Sequence, residues 1–168
     1  MHPIRSALIP VVALAGLLAA GPAMAASLTL STGRVDPDND GYGSTTTANL
    51  RLGNEILDLG VAELDLELDI GRSVTSGDAP LAREYDFSSV GIGLSARTAG
   101  PFYLIGRYGI ARNELDVDGG SSTSENQQSI GLGVGGSLGL LQFEATATRY
   151  LEEGDLKDIT WLTAGIRF

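Results

Sequence analysis

The stretch "VAELDLELDIG", residues 61–71, narrows what this chain can fold into more than any other. Leu64, Leu66, Leu68 and Ile70 alternate there with Glu63, Asp65, Glu67 and Asp69. A strand points successive side chains to opposite faces, so a two-residue period separates these two sets, whereas a helix would mix them. One face must meet something apolar and the other something polar. A slip of one residue would exchange the two along the whole strand, so its register has to be specified.

The same period recurs along the chain. It predicts strands in "SLTLSTGRV" (27–35), "TTTANLRLGN" (45–54), "FSSVGIGLSAR" (87–97), "PFYLIGRYGIA" (101–111), "QSIGLGVGGSL" (128–138) and "LQFEATATRY" (141–150), and a last strand ending in "WLTAGIRF" (161–168). Ala48, Leu50 and Leu52 oppose Asn49, Arg51 and Gly53, and Phe143 and Ala145 oppose Gln142, Glu144 and Thr146. Parity is mixed only in 101–111, where Tyr103 and Ile105 share a face with Arg107; a bulge is one way to resolve it. Residues 54–58, 97–101 and 138–140 read as short turns. Residues 35–45, 72–84, 112–127 and 150–158 read as longer loops rich in Asp, Glu, Gly and Ser.

The first 25 residues have another character. Arg5, an apolar stretch over 7–20 and the small-x-small site Ala23-Met24-Ala25 have the layout of a secretory signal cut before Ala26. Pro10 and Pro22 suit a membrane-spanning helix poorly. The chain thus divides into a signal peptide, 1–25, and one domain, 26–168. Without Arg5 that domain has ten Lys+Arg against 21 Asp+Glu, 10 − 21 = −11, which argues against nucleic acid as a partner. The absence of Cys removes disulfides, so an exported chain of this size needs a large core or a closed sheet.

Eight strands joined alternately by short turns and long loops describe an all-β fold, an eight-stranded antiparallel up-and-down transmembrane β-barrel. The strand lengths suit the ~9–11 tilted residues that cross a bilayer, and closure leaves no unpaired edge in lipid. A soluble barrel or sandwich also alternates, with its apolar face inward. Polar faces made of Gly, Ser, Thr and both charge signs favour the inverted arrangement, because they suit a narrow filled interior.

The segments "ELDLEL", "GPFYLIGRYGIA", "IGLGVGGSLG", "EATATRY" and the terminal "AGIRF" carry a resemblance. The chain over 26–168 resembles the small OmpA/OmpX-type outer-membrane β-barrels of the porin-family outer membrane protein β-barrel domain. The resemblance implies residence in the outer membrane of a Gram-negative bacterium among outer-membrane lipids and lipopolysaccharide. It also implies that Ile166 and Phe168 belong to a C-terminal signal read by the barrel-insertion machinery. Thr163 stands where the family usually places a Gly, which here is Gly165. A monomer without a cofactor is expected, with a structural or surface-interaction role and acidic surface loops.

The acids Glu63, Asp65, Glu67 and Asp69 repel one another on one strand face and need partners inside a barrel. Arg51, Arg97, Arg107 and Arg167 fall on the same inward faces, with Glu144 as a fifth acid. An eight-stranded barrel has room for side chains but not for a water channel, so an ion-pair plug is expected rather than a catalytic site. The turn placed at 54–58 makes Arg51 and Glu63 cross-strand neighbours.

Other motifs point less far. Asp36, Asp38 and Asp40 with Gly41 match the first half of a calcium-binding loop, but Thr47 replaces the bidentate Glu, so a solvated turn is the preferred reading and metal binding there a weak candidate. "GLGVGG" lies within a strand and is followed by no helix, so it is not a phosphate loop. The one His, His2, falls in the signal, which leaves any Ser without the usual base. A non-enzyme is expected; a lipid-directed enzyme on the same barrel and a soluble periplasmic ligand carrier are the alternatives.

Overall fold

The structure, a computed structural model, describes residues 26–37, 41–120, 122–151 and 156–167, with backbone alone for 36, 37 and 156–167. The expected signal at 1–25 lies outside the described residues. Among the described residues nine strands are formed: β1 (Ala26–Pro37), β2 (Thr45–Asp58), β3 (Ala62–Ser73), β4 (Gly77–Ala79), β5 (Arg83–Thr98), β6 (Phe102–Val117), β7 (Ser122–Leu138), β8 (Leu141–Tyr150) and β9 (Leu156–Arg167). The eight long ones pair antiparallel in chain order. The circuit closes through β1–β9, and β3 pairs directly with β5, leaving β4 as a short addition to β5. Closure gives each long strand two neighbours, which is what a chain without disulfides needs.

Starting at Ala26 on β1 and following partners through Asn54, Leu66, Leu94 and onward, the pairing returns to β1 at Asp36, ten residues along. Such a stagger tilts the strands by roughly 35–45° to the barrel axis. The three short turns each hold a glycine at positive φ, Gly60, Gly100 and Gly139, where a Cβ would be strained.

Several boundaries differ from the sequence reading: β4 and the start of β5 fall within 72–84 and β9 starts at Leu156, within 150–158. "NEILD" continues β2 to Asp58 through a bulge between Glu55 and Leu57, so the turn falls at 59–61 rather than 54–58. Residues 112–127 are not a long loop: β6 runs to Val117 and β7 starts at Ser122, with Asp116 paired to Ser122. The bulge considered for 101–111 is absent, because β6 keeps an unbroken register with both neighbours.

The outward face is apolar along the lower two-thirds of the strands, at the end of the short turns. Leu30, Ile92, Leu104, Leu132, Val134 and Phe143 are all exposed there. Inside at that level lie Thr29, Ser31, Asn49, Arg51, Asp65, Glu67, Ser95, Arg97, Gln142, Glu144 and Thr146, all buried. This is the reverse of a soluble barrel and decides between the two arrangements left open by the alternation. Toward the other end the pattern flips. Val35, Tyr85, Phe87 and Leu115 point inward and are buried with Ala79, while Glu84, Asp86, Glu114 and Asp116 point outward and are exposed. There the hairpins pack as a soluble protein does, apolar inside and charged outside. Tyr42 packs edge-on against Tyr85, ring centroids 5.5 Å apart, and the Tyr85 hydroxyl donates to the Gly43 carbonyl at 2.7 Å.

Candidate functional site: the ion-paired lumen

β3 supplies the acids. Its inward positions 63, 65, 67 and 69 follow from the strand period, and the bases come from the neighbours on either side. Arg51 lies across the β2–β3 ladder from Asp69, and its Nε donates to Asp69 Oδ1 at 2.6 Å. The same nitrogen is 3.5 Å from Glu67 Oε2. On the other side Arg97 of β5 lies opposite Glu63 and donates to Glu63 Oε2 through Nε at 2.8 Å and Nη2 at 2.6 Å. Arg97 Nη2 is also 3.9 Å from Asp65 Oδ2. Arg51 therefore pairs with Asp69, not with Glu63 as the earlier turn required. Extending β2 by four residues moves every partner on β3 by a comparable step.

Arg107 of β6 ties these groups to the far wall. Its Nε donates to Glu67 Oε2 at 3.0 Å and its Nη2 to Glu144 Oε2 of β8 at 2.6 Å. Tyr103 donates its hydroxyl to Glu144 Oε1 at 3.0 Å, and the Arg97 guanidinium sits 5.6 Å from the centre of the Tyr103 ring. One connected network thus runs from Asp69 through Arg51, Glu67, Arg107, Glu144 and Tyr103 to Arg97 and Glu63. A buried carboxylate with two donors loses little by leaving water, whereas one stripped of them is costly.

Tyr103 is the member that alternation alone did not assign. It shares a face with Arg107, and the mixed parity of 101–111 leaves the direction of that face open in the sequence. The resolution lies on β7, where Gly135 is Tyr103's cross-strand partner, and a Cβ on Gly135 would collide with the Tyr103 ring. Above the network a cavity of about 60 Å³ is lined by Arg51, Glu67, Asp69, Arg107 and the glycines 91 and 131. With charged groups in its wall, it has room for water. The Nη1 atoms of Arg51 and Arg107 make no hydrogen bond to a described residue.

β9 places the backbone of Ile166 and Arg167 opposite Leu28 and Ser27 of β1. Their side chains, and Phe168 altogether, lie outside the described residues, as do Asp38, Asp40 and the side chain of Asp36. Among the described residues no cluster of three His, Cys, Asp or Glu is arranged to hold a metal.

No protein-family model matches the chain, and no curated protein matches it in sequence. Solved structures do match in fold. Ail, the attachment invasion locus protein of Yersinia pestis, superposes with a TM-score of 0.59 at 18% identity over 88% of this chain and 100% of that one. Neisserial surface protein A gives 0.57 at 14% identity, covering 86% and 95%. The N-terminal β-barrel domain of Pseudomonas aeruginosa OprF gives 0.58 at 12% identity, covering 84% and 97%. The fold is that of the small OmpA/OmpX-type eight-stranded outer-membrane barrels.

Proposed function

We propose that the chain is an integral outer-membrane protein: a monomeric, filled barrel that neither conducts nor catalyses, whose acidic hairpins make contacts at the cell surface. The observation that carries this is the change of polarity along each strand. An apolar exterior around an ion-paired lumen suits lipid, and a charged exterior around Tyr85, Phe87 and Leu115 suits water. Both occur in one barrel, so it is built to stand across a membrane surface.

Arg97–Glu63, Arg51–Asp69 and Arg107–Glu144 pairs cross the lumen, which favours a filled barrel over the aqueous channel of wide porins. Catalysis lacks its usual base, since His2 is the one histidine and belongs to the expected signal. The Ail crystals include a complex with sucrose octasulfate, a heparin analogue. Here Asp78, Glu84, Asp86, Glu114, Asp116 and Asp118 mark the hairpins, so the partner surface that fits them is cationic.

Fractionation tests the reading. The protein should travel with outer membranes, resist SDS unheated and shift in mobility after boiling, and give no conductance steps in planar bilayers. Recovery from the soluble periplasm would overturn it. Deleting Phe168 should lower the amount assembled without lowering the melting temperature of the protein that does assemble. Unchanged assembly would remove Phe168 and Ile166 from the insertion signal.

A further inference from the structure

The outward cations are not scattered. Arg34 on β1, Arg72 on β3, Arg112 on β6 and Arg149 on β8 all point outward and are exposed. Their strands are every second one round the barrel, the four that run from the short-turn end toward the hairpins. Counted by pairing partners alone they fall at different levels, since Arg72 faces Ser88 while Arg112 faces Val90, and Arg149 faces Ile130 while Arg112 faces Asn126. The ten-residue stagger accounts for this, because it moves the pairing a little more than one residue toward the hairpins per strand. With that allowance the four lie within roughly 5 Å of one height, at the ~3.3 Å rise of a strand.

That height is a boundary. Below Arg72 the outward residues of β3 are Ile70, Leu68, Leu66, Leu64 and Ala62. Ten residues at ~3.3 Å, tilted by about 40°, span roughly 25 Å, the height of the apolar band in outer-membrane barrels. Above Arg112 the outward residues of β6 are Glu114 and Asp116. The ring thus separates hydrocarbon-compatible surface from acidic surface, in a chain with a formal net charge of −10.

We infer that Arg34, Arg72, Arg112 and Arg149 form a collar that binds the phosphate groups of outer-leaflet lipids. The inference rests on the membrane reading above and names the surface through which it acts. Guanidinium suits this role better than ammonium, because its planar fork matches two phosphate oxygens. Arg112 Nε already donates to Ser124 Oγ at 2.9 Å, which ties the side chain to β7 at the rim. The four sit two strands apart round the rim, so the effect should accumulate arginine by arginine.

The test compares melting temperatures, read from the heat-dependent gel shift, in phosphatidylcholine vesicles with and without lipid A. The wild type should melt higher with lipid A, since a ligand of the folded state stabilises it. Arg72→Gln and Arg112→Gln should each lose part of that gain. The quadruple Gln variant should lose most of it, and Arg83→Gln, in the hairpins above the ring, should keep it. Dephosphorylated lipid A should give no gain, nor should inorganic phosphate added to phosphatidylcholine vesicles. A quadruple variant with the full gain, or an equal gain from dephosphorylated lipid A or from free phosphate, would overturn the collar. If the quadruple variant fails to fold, the two single variants decide in the same way. A wild type that enters no vesicle would overturn the membrane reading itself, while one that enters phosphatidylcholine but ignores lipid A sinks only the collar.

Discussion

Arg107 reaches Glu144 at 2.6 Å across the full width of an intervening strand. β7 lies between them, and its inward positions 131, 133 and 135 are all glycine. That smooth wall allows both Arg107 and Tyr103 to cross to a single carboxylate. The glycines are therefore part of the electrostatic design of the lumen as well as of its curvature.

Removing Arg107 should be among the most damaging single changes in the barrel. Arg107→Ala leaves Glu67 with Arg51 at 3.5 Å and, among the described residues, Glu144 with the Tyr103 hydroxyl as its donor. Stranding buried carboxylates in this way costs about 3–5 kcal/mol, whereas replacing a whole pair by apolar groups can be nearly neutral. Arg107→Met combined with Glu144→Leu should accordingly cost less than the sum of the two single changes. Urea unfolding in lipid vesicles measures both, and strict additivity would argue against a coupled network.

Gly135→Ala tests the smooth wall directly. The added methyl occupies the space of the Tyr103 ring, so the ring has to leave Glu144 or the strands must part. A loss of about 1–3 kcal/mol is expected, typical of overpacking. Tyr103→Leu in the same chain should recover part of it. If Gly135→Ala is as stable as the wild type, the ring does not fill that space.

Much of this was legible in the sequence because a strand's period is local. The inward set Arg51, Glu63, Asp65, Glu67, Asp69, Arg107 and Glu144 follows from counting by twos. Which acid meets which base depends on where a hairpin turns, and "NEILD" contains no residue that forces the chain to stop. Placing the turn there instead of at 59–61 was enough to pair Arg51 with the wrong acid. The inward cluster at the hairpin end was missed for a different reason. Tyr85, Phe87, Leu115 and Val117 keep the lumen parity, but acidic neighbours gave "REYDF" and "NELDVD" the composition of loops. A reversal of polarity at constant parity was the available signal.

That cluster should behave as a unit separate from the membrane belt. Phe87 is 1% exposed and packs with Val35, Tyr85 and Leu115. Phe87→Ala typically removes about 3–5 kcal/mol from a compact core. Here the loss falls on hairpins that stand above the lipid, so it should open them without unfolding the belt. Limited proteolysis of reconstituted protein should then cut within 74–82 or 118–121, while the boiling-dependent gel shift persists. Loss of that shift would mean that the upper cluster holds the whole barrel together.

The last prediction sets lipid against water on one strand. Val134 and Asn126 both point outward from β7, Val134 well within the apolar belt at 57% exposure and Asn126 above the arginine ring. An arginine at lipid mid-depth costs roughly 2–4 kcal/mol, and an exposed surface substitution about 0.5 kcal/mol or less. Val134→Arg should therefore lower folding yield and stability in bilayers, as should Leu66→Arg on β3, while Asn126→Arg, which meets water and only the like charge of Arg112 across the ladder, should cost about 1 kcal/mol or less. In a detergent micelle, whose surface adapts more readily than a bilayer's, the penalty at 134 should shrink. Equal tolerance of arginine at 126 and 134 in bilayers would place both positions in water and remove the physical basis for a membrane-spanning belt.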